Sequence, residues 1–367
     1  MKRRAKYQVI GLMSGTSLDG LDMAYCEFSL EDGQWQFIIP VAETQPYNEV
    51  WQQKLGEITE VSGEELIFTD RDLGVWMGEA VKEFINKYQL KPDFIASHGH
   101  TVFHQPEKGI TYQMGNSFAI QAISEQTVIG QFRNYDVAIG GQGAPLVPIG
   151  DQLLFSDYDA CLNLGGIANL STQWQGKRIA YDIGTANMVM NYFAQQLGQS
   201  YDVGGQIAQQ GEPNQSLLAS LNQLPYYRQP FPKSLGYEWV HQEIIQPLEQ
   251  ENLSIADAIT TALHHAAYQV AKDVNTFADE KTGTFRVLVT GGGAFNVYFM
   301  DTIRKNCSET VELVVPDKKT VAFKEALVFA FLGVLRVRNE INCLQSVTGA
   351  QYDHSAGVIF GNLDHAQ

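Results

Sequence analysis

Apolar and polar positions change rhythm several times along the chain. Period-two stretches at 7–13 and 21–30 predict two strands around a Gly/Ser/Thr/Asp turn, and 34–42 predicts a third, with Asp32-Gly33 as the hairpin turn. Ser62-Gly63-Glu64-Glu65 has the form of a capping box. The apolar positions Leu66, Leu73, Val75, Met77, Val81, Phe84 and Ile85 then carry a predicted helix to Tyr88. A short strand is predicted at 94–97, a helix near 117–126 and a strand at 127–130. Between 137 and 150, Gly140, Gly141, Gly143, Pro145, Pro148 and Gly150 crowd together, as in a linker or a ligand-facing loop. The pattern then restarts, with strands predicted at 160–164, 167–172 and 178–182 and helices near 187–198, 238–248 and 254–279. A strand at 285–290 runs into three glycines, and a strand at 311–315 precedes a helix over 321–338.

Both halves open on strand, glycine turn, strand, and both continue with strands alternating with helices. This suggests a duplicated α/β domain with a ligand cleft between the copies, although no residue-by-residue repeat is visible. The length of 367 residues agrees with two domains at roughly 150 residues each.

Charge narrows the partners. The chain carries 25 basic against 41 acidic side chains, a formal charge of −16, so a broad basic surface for nucleic acid or anionic membrane is not expected. No apolar run reaches the roughly 18 residues of a membrane helix. The basic start, Met1 to Lys6, is followed by a run too short and too interrupted for a signal peptide, which points to a cytoplasmic protein. Cys26, Cys161, Cys307 and Cys343 are scattered, as expected for free thiols in a reducing compartment.

Three strand-end glycine turns carry the candidate chemistry. The first is Gly15-Thr16-Ser17-Leu18-Asp19-Gly20-Leu21-Asp22. Glycines admit a phosphate to backbone N–H groups, hydroxyls add donors, and a carboxylate such as Asp19 can hold Mg²⁺ through water. It lacks the lysine of a P-loop, and a polar hairpin is the alternative. The second is Asp182-Ile183-Gly184-Thr185-Ala186-Asn187, where a strand delivers a carboxylate suited to general-base work beside a helix start. The third is Gly291-Gly292-Gly293 after a strand, either a nucleotide-facing turn or a tight packing turn. Together the three favour phosphate binding in a cleft. His98, His100 and His104 do not have zinc-ligand spacing and fit a sugar-contacting or turn-stabilising role better than a metal site. Arg133 and Asp136 after a strand suit substrate binding or an ion pair, and Glu325 follows Lys324 on an apolar helix.

Taken in order, G-L-M-S-G-T-S-L-D-G-L-D, S-H-G-H-T-V-F-H, G-G-Q-G-A-P-L-V-P, N-L-G-G-I-A-N, Y-D-I-G-T-A-N-M, P-K-S-L-G, T-G-G-G-A-F-N and S-V-T-G-A span residues 9 to 350. This series resembles the anhydro-N-acetylmuramic acid kinase family. The resemblance implies two actin-like (ribonuclease H-like) domains with mixed sheets around an interdomain cleft, the first 1–136 with about 345–367, the second 137–344. It implies ATP and Mg²⁺, a small amino-sugar substrate, and a homodimer. The implied reaction opens 1,6-anhydro-N-acetylmuramic acid with water and phosphorylates O6, giving N-acetylmuramic acid 6-phosphate for peptidoglycan recycling. Carried over, Gly15 to Asp22 form the ATP loop and Gly291, Gly292 and Gly293 border the nucleotide. Asp182 is the general base, and His98, Arg133 and Glu325 stand on the sugar side. The family usually has Gln where His100 stands, Asp-Pro for Asn116-Ser117, Asp for Gln131 and Pro-Gly for Thr185-Ala186. These departures keep open a kinase for a related amino sugar, and a non-catalytic nucleotide sensor on the same fold is a further alternative.

Overall fold

The first hairpin forms where the alternation predicts it. Strands β1 (Lys6–Ser14) and β2 (Gly20–Glu31) pair antiparallel, and β2 pairs with β3 (Gln34–Pro46). Asp32 and Gly33 make the second turn with φ of 50° and 82°, the two positive angles a two-residue hairpin of matching twist requires. The computed structural model describes residues 4–15 and 18–362, and these fall into two compact units, Met1–Leu154 with Phe323–Gln367, and Phe155–Ala322.

In the first unit, β4 (Phe94–Gln105) lies parallel to β1, and β6 (Val128–Gly130) lies parallel to β4. Strand β5 (Ile110–Met114) hangs antiparallel on the long end of β4, and the C-terminal strand Val358–Phe360 closes the edge beside β6. Successive residues of a strand face opposite sides, so β1 serves two layers. Ile10 and Leu12 join Leu73, Met77, Val81 and Phe84 of the helix Gly63–Tyr88 in one core. Gly11 faces the other way, where a Cβ would collide with the carbonyl of Ala326 in the helix Lys318–Val337, so the missing side chain lets that helix lie flush on the sheet. Ser62 caps the helix Gly63–Tyr88 by accepting the Glu65 N–H at 3.2 Å, as the capping box predicts.

The second unit repeats the plan. Strands β7 (Ala160–Leu164), β8 (Ile167–Trp174) and β9 (Lys177–Thr185) form an antiparallel meander. Strands β10 (Phe285–Thr290) and β11 (Val311–Val314) continue it in parallel beyond β7. The helix Ile255–Ala278 buries Ile259, Ala262, Leu263, Ala266, Val270 and Val274, a stripe at spacings of three and four, in the core of this unit. Each sheet is thus a three-stranded meander whose first strand is continued by two parallel strands, the actin-like arrangement that the resemblance implies.

The division of the chain falls beyond the composition break. The stretch 137–150 belongs wholly to the first unit and is not a linker, because Asp136 draws it in: its backbone carbonyl accepts the Gly141 N–H and its carboxylate the Gly143 N–H. The helix Pro148–Leu154 stays there too, with Gly150 against Val328 and Asp151 paired with Lys324 at 2.7 Å. At the other end the second unit stops at Ala322, and Phe323, at φ −113° and ψ 17°, interrupts the helix Lys318–Val337. The segment 323–344, expected in the second domain, therefore packs with the first unit.

Candidate active site

Asp182 sits on β9, which runs three residues further than the alternation predicts, to Thr185. Gly184 does not open a turn; it pairs with Ala168, and a Cβ there would press on the Tyr227 ring at 3.0 Å. A segment fifty residues on fixes Asp182. Its N–H donates to the Lys233 carbonyl (3.0 Å), its carbonyl accepts the Tyr226 hydroxyl (2.7 Å), and Oδ2 accepts the Leu235 N–H at 3.0 Å. One carboxylate oxygen is thereby held, and the other has no hydrogen-bond partner among the described residues. Partial burial lifts the Asp182 carboxyl above the ordinary carboxylate range, and the Leu235 N–H opposes that shift by favouring the anion. A raised pKa makes the anion a stronger base, provided it is ionised at working pH. Beside it, the Lys233 ammonium lies 4.7 Å from the Tyr226 ring centre, its pKa lowered by burial against the attraction of Asp273.

In the first unit, His98 and Arg133 form one construction. The His98 Nδ1–H donates to the Gly99 carbonyl (2.8 Å), which leaves Nε2 to accept from Arg133 Nε at 2.9 Å. Arg133 Nη1 donates to the Gly143 carbonyl at 2.7 Å. Burial, and then the Arg133 charge, hold the His98 pKa far below its usual value, so the ring is neutral. Phe329 backs both groups, its ring 4.5 Å from the imidazole and 5.8 Å from the guanidinium carbon. Arg133 does not pair with Asp136, whose oxygens go to Gly143, Thr348 and Cys343. Glu325 keeps exposed surface. Desolvation on its protein side raises its pKa, while the charges of Arg133 and Lys324 pull it down. The three sugar-side candidates thus belong to one neighbourhood of charge. His100 and His104 turn elsewhere, to the hydroxyls of Ser14 (3.0 Å) and Thr111 (3.1 Å).

The turn between β1 and β2 is pinned at its roots. Ser14 Oγ lies 2.8 Å from the Tyr47 hydroxyl, and the Asp19 carbonyl accepts the Tyr47 N–H. Gly15 and Leu18 are partly exposed, Asp19 is exposed, and Gly20 is buried against the backbone of Gln45. Leu21 is fully buried in the core, so only its backbone can meet a ligand. Asp22 is half-buried and accepts from Thr44 Oγ1 at 2.5 Å; desolvation raises its pKa. Thr16 and Ser17 lie outside the described residues. In the second unit the three glycines divide their work. Gly291 has φ of 82° and a Cβ there would stand 2.6 Å from Asn163 Oδ1, while one on Gly293 would stand 2.8 Å from Leu164 Cβ. Gly292 is exposed, and a Cβ there would meet only Asn187 Nδ2 at 3.8 Å, so packing does not demand this glycine.

A family profile described as anhydro-N-acetylmuramic acid kinase matches residues 7–362. The chain belongs to that family. It is similar to the anhydro-N-acetylmuramic acid kinases of Microcystis aeruginosa, 34% identical with 97% of this chain and 99% of the relative covered, and of Vibrio vulnificus strain YJ016, 34% identical with 96% and 97% covered. The relative from Synechocystis is 32% identical, with 95% and 97% covered. Kinase activity and ATP use follow from this membership, and no described helix is long and apolar enough to cross a membrane.

Two features of the site escaped the sequence reading. The P-K-S-L-G segment holds Asp182 through backbone atoms, which leave no side-chain signature. The positions Asn116, Ser117 and Gln131, where the chain departs from the family's usual residues, line a single recess of about 170 Å³ together with Ser97 and His98. Ser97 Oγ and Gln113 Oε1, both on this recess, are buried without a hydrogen-bond partner among the described residues.

Proposed function

We propose that the chain is an ATP-dependent kinase that opens 1,6-anhydro-N-acetylmuramic acid hydrolytically and phosphorylates O6, giving N-acetylmuramic acid 6-phosphate in peptidoglycan recycling. The observation that carries this reading is Asp182, a carboxylate of raised pKa with Oδ2 fixed by Leu235 and its second oxygen without a described partner, in a chain of this family. Asp182 takes a proton from water as the water oxygen bonds to C1 and the C1–O6 bond breaks. The electron pair left on O6 attacks the γ-phosphorus, and ADP departs with the electrons of the broken P–O bond. The base is thus needed for the first step, and the acceptor of the second is the leaving group of the first.

Arg133 and Glu325 supply opposite charges for the polar groups of the sugar, and neutral His98 holds the Arg133 fork in one plane. The turn 15–22 and the exposed backbone of Gly292 are assigned to ATP. Carboxylate oxygens are the donors Mg²⁺ prefers, so Asp19 through water, with Asp22 near it in sequence, fits the ion, which supplies neutralisation of phosphate charge when bound. A cytoplasmic homodimer completes the proposal. Incubation with ATP, Mg²⁺ and the anhydro sugar in ¹⁸O-water is expected to give a 6-phosphate labelled at C1. Unlabelled product, or no phosphorylated sugar, overturns it.

A further inference from the structure

Asp136 is fully buried, and three elements converge on it. Its Oδ2 accepts the Gly143 N–H at 2.6 Å; its Oδ1 accepts the Thr348 hydroxyl at 2.7 Å and the Cys343 thiol at 3.0 Å. An isolated antiparallel bridge between Cys343 and His354 brings the imidazole to the same place, with Nε2 3.6 Å from Oδ1. His354 is 5% exposed, and its Nε2 has no hydrogen-bond partner among the described residues.

The other ring nitrogen fixes what Nε2 is. Nδ1 lies 3.1 Å from the Tyr352 carbonyl, which can only accept, so Nδ1 carries a proton and Nε2 is the nitrogen turned to Asp136. Nε2 and Oδ1 thus face each other at 3.6 Å in a water-poor interior without a hydrogen bond between them, and a cation bound by both satisfies them together. We propose that Asp136, Cys343 and His354 form a binding site for Zn²⁺ or a similar borderline-soft divalent ion, separate from the groups assigned to ATP and sugar.

The dimensions suit it. The three ligand atoms lie within 4.8 Å of one another. Bonds of about 2.0–2.3 Å at a tetrahedral zinc place ligand atoms roughly 3.3–3.6 Å apart, so modest side-chain adjustments let the three residues supply three ligands, with water as the fourth. Thiolate, imidazole and carboxylate together select zinc over Mg²⁺. The Nδ1–H bond to a carbonyl is the second contact that orients a ligating histidine. Binding exchanges the thiol proton for the metal: Cys–SH and Zn²⁺ give Cys–S–Zn and H⁺. With one thiolate and one carboxylate around a dication, the loaded site is neutral, the charge state a buried cavity tolerates best.

Its place in the fold gives it a purpose. Gly143 donates its N–H to Asp136, and its carbonyl accepts Arg133. A metal that immobilises Asp136 therefore steadies the loop carrying the Arg133 acceptor. The test uses the full chain, stripped with chelator and reloaded with Co²⁺ or Zn²⁺. Co²⁺ is expected to give a near-ultraviolet thiolate-to-cobalt charge-transfer band, absent in Cys343→Ser. Elemental analysis after gel filtration is expected to find one zinc per wild-type chain and none in His354→Gln. No charge-transfer band in the wild type, or equal zinc in wild type and variants, overturns the site and shows a hydrogen-bonded structural cluster only. The wild-type spectrum is decisive even where a variant fails to fold, and none of these readouts depends on kinase activity.

Discussion

The Leu235 N–H donates to Oδ2 of Asp182 at 3.0 Å across 53 residues of sequence, and this bond aims the carboxylate while moderating the rise in its pKa that burial causes. Asn at 182 keeps an acceptor for Leu235 and loses the base. Asp182→Asn is expected to lower kcat by about 10²–10⁴-fold, the range for a positioned general base, with the fold retained by circular dichroism. Full activity removes Asp182 from that role.

The direction of the Asp182 shift also fixes two pH dependences. The rate needs the anion, so kcat/KM is expected to fall as pH drops through a value above the ordinary carboxylate pKa of about 3.9. For stability the sign is opposite. A folded-state pKa above the unfolded one means that the folded state binds the proton more tightly, so stability declines as pH rises between the two values and then levels off. Asp182→Asn is therefore expected to raise Tm at neutral pH, with the gain vanishing in acid below the unfolded pKa. A Tm gain that is constant with pH contradicts the assignment.

His98 and Arg133 give a different pair of expectations. Neutral His98 with Nε2 committed to Arg133 should show no titration of its ring protons by NMR between about pH 5 and 8. Lysine cannot reproduce the two-pronged contact with His98 and Gly143. Arg133→Lys leaves one acceptor unpaired, a loss of about 1–3 kcal/mol by urea denaturation, and is expected to raise the KM for sugar more than it lowers kcat.

How far the sequence led depended on whether the cause was local. Strands β7 and β10 stand where the alternation puts them, because apolar runs bounded by glycine leave one solution. The capping box at Ser62 and the Asp32-Gly33 turn are equally local and equally legible. What the sequence concealed is carried by distant backbone. Nothing near Asp182 announces Leu235, and nothing near Asp136 announces Thr348 or His354, more than 200 residues away. The stretch 137–150 reads as a linker or a ligand-facing loop because its glycines suggest freedom, yet the N–H groups of Gly141 and Gly143 are spent on Asp136. Composition reports conformational permission, not the contact that uses it.

Lys324 and Asp151 form a contact between charges that are both almost fully buried, an ion pair more than an aligned hydrogen bond. Removing one partner leaves the other buried charge less well compensated. Lys324→Met is expected to cost about 3–5 kcal/mol in urea denaturation, and Lys324→Met with Asp151→Leu to recover most of it. Equal losses in the single and double variants show that the pair does not act as a unit.

The three glycines after β10 separate packing from ligand approach by a single methyl group. At Gly291 the left-handed φ of 82° and the atoms of Asn163 and Leu164 leave no room for a Cβ, so Gly291→Ala must shift backbone. Strain of that kind costs on the order of 1–3 kcal/mol, and Gly291→Ala is expected to lower Tm whether or not nucleotide is present. At Gly292 a Cβ meets only Asn187 Nδ2 at 3.8 Å, an ordinary contact, so Gly292→Ala is expected to melt like the wild type. Its added methyl group points into the space assigned to the nucleotide, where backbone approach is the reason for glycine. The KM for ATP should therefore rise in Gly292→Ala while Tm holds, and the stabilisation of the protein by saturating ATP should shrink in parallel. An unchanged KM with an unchanged Tm would move the nucleotide off this turn and leave Gly291 and Gly293 as packing residues alone.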